Sequence, residues 1–132
     1  MLQGGCFCGR IRYEVTGAPF HETNCHCSIC RRTTGAPFVA WFSVRPSEFR
    51  WVSGNPSHFR SSSKASRSFC AHCGTQLTFH SDEYPDEIDV TTCSLDQPEA
   101  VPPRDHTHTG NKLPWIRLSD RLAQYPQARG ND

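Results

Sequence analysis

The sequence is short of what a membrane protein, an exported protein or a nucleic-acid binder needs. Its longest apolar stretch, Ala36 to Val44, is broken by Pro37 and Ser43, far from the roughly 20 apolar residues of a membrane span. Met1–Arg10 holds no apolar leader, which predicts a chain without an export signal, working in the cytoplasm. Fourteen basic residues face thirteen acidic ones, for a formal net charge of +1. A field that weak collects neither nucleic acid nor an anionic membrane, so neither is expected as a partner. Apolar residues are also scarce. They make up 36% of the 132 residues, and cysteine supplies eight of them. The abundance lies instead in those cysteines and in nine glycines and ten prolines, which favour turns and short strands over long helices.

Eight cysteines in one small chain mean disulfides or metal. A reducing cytoplasm argues against disulfides. The spacing argues for metal: Cys6 and Cys8 form C-x-C, Cys25, Cys27 and Cys30 form C-x-C-x-x-C, and Cys70 and Cys73 form C-x-x-C. A single turn can present two such thiolates to one ion. Thiolate-rich sites select zinc or iron–sulfur, and pairs on separate segments favour zinc. Tetrahedral zinc takes four ligands, so seven clustered cysteines make one closed set and leave three. Closed sets are structural, whereas three ligands and an open position suit catalysis. Spacing alone leaves the pairing open. Cys6, Cys8, Cys70 and Cys73 can close one site around a separate central cluster. Alternatively, Cys70 and Cys73 join the central cluster, or Cys93 or a histidine closes both sites. Cys93 itself reads as a small buried residue.

Periodicity predicts strands at Ile11 to Val15, Phe20 to Asn24, Phe38 to Val44, Glu48 to Val52, Thr75 to Phe79 and Ile88 to Thr92. Ser57 to Arg60 and Ala65 to Phe69 read as a hairpin. Ser28 to Thr33 reads as a helical turn ended by Gly35 and Pro37. The proline-rich stretch after Cys93 reads as a long loop. A last strand is expected at Leu113 to Leu118, a helical turn at Asp120 to Gln124, and a frayed tail over 127–132. The central cluster carries the functional weight. His26 lies between two of its cysteines as a possible proton carrier. Arg31 and Arg32 follow it as cations able to offset three thiolates or pair with substrate carboxylates.

The runs GGCFCGRIRYEV, CHCSICRRTTGAPFVAWFSV and SFCAHCGTQLTF, with the later GNKLPWIRL, resemble the glutathione-dependent formaldehyde-activating (Gfa-like, CENP-V/GFA) family. The resemblance implies a single domain over residues 2–126 with a β-tent fold: mainly β, several small coiled antiparallel sheets stapled by zinc. It implies two Zn²⁺ per chain. Cys6, Cys8, Cys70 and Cys73 would hold the structural ion, and Cys25, Cys27 and Cys30 the catalytic one. It implies a carbon–sulfur lyase-type reaction, the condensation of glutathione with formaldehyde. The rival within the same fold is a non-catalytic zinc-binding interaction or chaperone-like module.

Overall fold

The computed structural model describes residues 1–129. Eleven strands and one short helix follow in order: β1 (Leu2–Gly5), β2 (Arg12–Val15), β3 (Phe20–Cys25), α1 (Ser28–Thr34), β4 (Val39–Val44), β5 (Phe49–Ser53), β6 (Ser57–Ser62), β7 (Ala65–Phe69), β8 (Gln76–Ser81), β9 (Ile88–Thr91), β10 (Asp105–Thr107) and β11 (Ala123–Gln124). Short 3₁₀ turns punctuate the connections. The fold is mainly β, and the described residues close no barrel.

Two sheets form. The smaller has the order β1-β2-β5 and the larger β11-β10-β3-β4-β9-β8-β7-β6. Strand β2 shows why they stack. Its alternation buries Tyr13 and Val15 and turns Arg12 and Glu14 outward. Those two buried residues and Ile11 meet Phe42, Val44, Leu77 and Val90 of the larger sheet in one core. Strand β4 lies in the middle of the larger sheet and is buried along nearly its whole length, the outcome of its continuous apolar run. Residues two apart on a strand share a face. Phe42 and Val44 therefore point into the core, while Trp41 and Ser43 point to the other face of the larger sheet, away from β1, β2 and β5.

The chain departs from expectation in its last third. Asp105–Thr107 is a strand, not loop. It pairs parallel to β3, and β11 pairs parallel to β10, so the sheet is not wholly antiparallel. Leu113 to Leu118 forms no strand, and the helical turn expected at Asp120 to Gln124 is instead β11. Strand β1 fell in a stretch with no alternation to mark it. The expected fraying fails for 127–129. The His108 amide donates to the Gln127 carbonyl, and the Arg129 guanidinium donates to both carboxylate oxygens of Asp105 at 2.6 and 2.8 Å. The rest of that expected tail lies outside the described residues. Cys93 is exposed, not buried: the turn over Thr92–Ser94 buries Thr92 and rotates its neighbour outward.

Candidate metal centres and the cavity beside one of them

The seven clustered cysteines fall into two groups, Cys6, Cys8, Cys70 and Cys73, and Cys25, Cys27 and Cys30. Within each, all sulfurs lie within 4.8 Å of one another.

The four-thiol group is built from two similar loops. Each loop closes on a glycine in the left-handed region, Gly9 (φ 83°) and Gly74 (φ 83°), where a Cβ would be strained. The Gly9 amide donates to the Cys6 carbonyl and the Gly74 amide to that of Cys70, at 3.1 and 2.8 Å. The Phe7 amide donates to the Thr75 hydroxyl at 3.0 Å and ties the loops together. Backbone amides also aim at sulfur: Ile11 at Cys6 (3.3 Å) and Cys73 at Cys70 (3.5 Å). Hydrogen bonds from the side chain and backbone of Thr75 push Cys73 down to about 5, favouring its thiolate. Sulfur separations include 3.5 Å for Cys6–Cys8 and 3.8 Å for Cys8–Cys70. A tetrahedron with metal–sulfur bonds of about 2.3 Å has edges of about 3.8 Å, so this set fits a four-coordinate thiolate metal such as zinc.

The three-thiol group sits where β3 runs into α1. Cys25 ends the strand. Cys27 caps the helix, its sulfur accepting from the Cys30 amide at 3.2 Å, and Cys30 is buried in the first turn. Hydrogen bonds from Cys25, then Cys30, push Cys27 down to about 2, while the bond to Cys27 holds Cys25 well above the usual thiol range. Three thiol donors from one short segment suit the same soft metal, with one donor fewer than a closed tetrahedron.

A cavity of about 330 Å³ opens beside this second group and includes Cys25, Cys27 and Cys30 in its wall. Its floor is the face of the larger sheet opposite the core. A cross-strand ladder runs along that floor: Arg67 on β7 opposes Phe79 on β8, Phe79 opposes Asp89 on β9, and Asp89 opposes Ser43 on β4. Trp41, two residues from Ser43, stands beside them. Arg67 is only 5% exposed. Its guanidinium lies 4.8 Å from the Phe79 ring centre and 5.9 Å from that of Trp41, and its Nη2 donates to the Cys30 sulfur at 3.8 Å. Its Nε is buried without a hydrogen-bond partner.

The three non-cysteine residues singled out in the sequence are dispersed. Arg31 donates to the Asn111 carbonyl at 2.9 Å, Arg32 is exposed, and neither lines the cavity. His26, the residue after β3, is fully buried outside it. Its Nε2 bonds His106 Nδ1 at 3.0 Å, and His106 Nε2 bonds Asp120 at 2.7 Å. Burial, with the charge of His106, pushes His26 down to about 4, so it is neutral near pH 7. The cation at the thiols is Arg67, which sequence reasoning missed. Its only local signal is a lone charge amid small residues just before the last cysteine pair.

A family model described as glutathione-dependent formaldehyde-activating enzyme matches residues 1–111. A Halomonas elongata protein with a provisional name of that same kind is 28% identical over 140 residues, covering 96% of this chain and 89% of its own. An uncharacterized lyase of Schizosaccharomyces pombe is 35% identical over 77 residues, 58% of this chain and 56% of its own. A solved structure of a Rhodobacter sphaeroides protein shares the fold, with a TM-score of 0.60 at 23% identity, over 93% of this chain and 98% of that one.

Proposed function

This chain belongs to the glutathione-dependent formaldehyde-activating enzyme family, and we propose that it joins a thiol such as glutathione to a small aldehyde and cleaves the adduct again, as a carbon–sulfur lyase. The observation that carries this reading is the cavity, which is lined by the three-thiol group and by none of the other four thiols. In this reading Cys6, Cys8, Cys70 and Cys73 hold a structural zinc. Cys25, Cys27 and Cys30 hold a second zinc with one position left for substrate. When bound there, that ion supplies a site at which a thiol loses its proton at neutral pH.

The chain's own residues supply the rest. With Zn²⁺ bound, the three thiolates would leave a net charge of −1, and an incoming thiolate would bring one more negative charge into the cavity. The buried guanidinium of Arg67, in contact with Cys30, offsets that charge where water cannot screen it. Arg67 takes the role that sequence reasoning gave to Arg31 and Arg32. Trp41 and Phe79, packed edge to face, both contact the guanidinium and give the aldehyde and the substrate's methylene groups an apolar wall. In the reaction the sulfur–carbon bond forms, the thiol's S–H bond breaks, and the proton ends on the former carbonyl oxygen. No oxidant is consumed. The cytoplasm, where thiols stay reduced, is the compartment in which this chemistry operates; no helix among the described residues is long and apolar enough to cross a membrane.

The test is the exchange between ¹³C-formaldehyde with glutathione and their hydroxymethyl adduct, followed by NMR with zinc-loaded protein. Exchange faster than the spontaneous rate is expected. Exchange at the spontaneous rate would remove the lyase reading and leave a non-catalytic zinc-binding module.

A further inference from the structure

We infer that Asp89 is the proton shuttle of this reaction, accepting the proton of the incoming thiol and delivering it to the aldehyde oxygen; the inference rests on the reading above. Its place in the fold is the first ground. Asp89 stands on the cavity floor in cross-strand register with Phe79 on one side and Ser43 on the other, and Phe79 is in register with Arg67, which touches Cys30. One ladder thus runs from the carboxyl to the thiol group along the cavity wall. The second ground is its bonding. Ser43 Oγ donates to Asp89 Oδ1 at 2.5 Å, and among the described residues no ion pair engages the carboxyl. Asp89 is half-buried, and a half-buried carboxyl left without a cation in contact costs stability that asparagine in the same place would not. Such expense on the floor of a reaction cavity points to chemistry.

The groups facing the carboxyl fit a shuttle. Glu87 beside it raises its proton affinity. His21 from β3 and Arg67 from β7 lower it at longer range, as does the Ser43 bond. With the three thiols, Tyr84, His108 and Arg129 complete the titratable lining of the cavity. Burial outweighs the lowering effects and pushes Asp89 up to about 6, so near pH 7 the carboxylate can accept a proton and return it with little driving-force penalty. Atoms balance within the cycle. The thiol's S–H bond breaks, the proton rests on Asp89, the sulfur–carbon bond forms, and the proton passes to the new hydroxyl. Asp89 ends as the carboxylate it began as.

The shuttle needs the carboxylate at the outset, so kcat/KM should fall as pH drops through about 6. Asp89→Asn in the zinc-loaded protein should slow exchange by about 100- to 10,000-fold and abolish that acid limb, with zinc content unchanged. Asp89→Glu should restore part of the rate. Ser43→Ala should move the limb to higher pH, because it removes a bond that stabilises the carboxylate. A readout independent of turnover uses 2-mercaptoethanol, a thiol without a carboxyl. Its addition to the zinc-loaded wild type should produce the infrared carbonyl band of a protonated carboxyl, missing in Asp89→Asn. Binding and turnover without that band, or an unchanged rate in Asp89→Asn, overturn the shuttle and leave the lyase reading standing. Spontaneous-rate exchange with the wild type overturns both.

Discussion

The two cysteine groups use the same atoms for opposite geometric ends. The four-thiol group gathers ligands from loops more than 60 residues apart in sequence, with bonding satisfied by its own backbone amides and by Thr75. The three-thiol group draws on one continuous segment, and its surroundings are a cavity, a buried cation and a carboxyl. Long-range closure spends its ligands on holding the chain together. A local set leaves the fold's integrity to other contacts, so its environment is free to carry chemistry. The proposed division into structural and catalytic zinc follows from this contrast.

The largest expected effect falls on the closed group. Cys73→Ser should leave the chain without a cooperative thermal transition by circular dichroism. Structural zinc contributes on the order of 10 kcal/mol, comparable to the whole stability of a small domain at about 5–15 kcal/mol. A normal transition in that variant would break the comparison. Cys27→Ser should do the reverse: keep a transition within a few degrees of wild type, lose one zinc equivalent by elemental analysis, and reduce exchange to the spontaneous rate. Unfolding of Cys27→Ser would make both groups structural.

A smaller effect is expected from Arg67→Met, which keeps an apolar stem beside Phe79 and Trp41 but removes the charge. Thiol affinity in titration calorimetry should weaken roughly tenfold, equivalent to about 1.4 kcal/mol, with the four-thiol group untouched. Equal affinity would show that the cluster's charge is balanced elsewhere. The smallest effect lies away from both groups. Arg12 holds both carboxylate oxygens of Asp96 at 2.9 and 2.5 Å and lowers its pKa. A depressed carboxylate stabilises the fold above its unfolded pKa of about 4, and that contribution fades as pH falls through the lower folded value. Arg12→Ala should therefore shift Tm slightly at pH 7, not at pH 2, and less in high salt, as befits a largely exposed pair.

Local chemistry made much of the fold and half of the site legible. Alternation over Arg12–Val15, the apolar run of β4 and the hairpin of β6 and β7 are written in neighbouring residues, and each formed near its expected bounds. The positive φ of Gly74 follows from its place after C-x-x-C. The misses share a cause. Strand β10 exists because β3 offers it a parallel edge, a partner about 80 residues away. Cys93 faces water because of a turn, and His26 is buried outside the cavity against His106, a partner 80 residues away.

The sequence by itself determined the family, through the resemblance carried by its four runs, and the mainly β character and the clustered thiols, which are encoded in patterns over a few residues. Only the tertiary structure decided which residues share the cavity with the three thiols. Arg67, Phe79, Asp89 and Ser43 come from four strands, and what unites them is register across a sheet. Register is fixed when the opposite face, with Phe42, Val44, Leu77 and Val90, packs against Tyr13 and Val15. A shift of one residue would exchange the faces, sending the cavity's polar side chains into the core. Burial of that apolar face aligns the cation and the carboxyl with the thiols, and no segment shorter than the whole sheet carries that instruction.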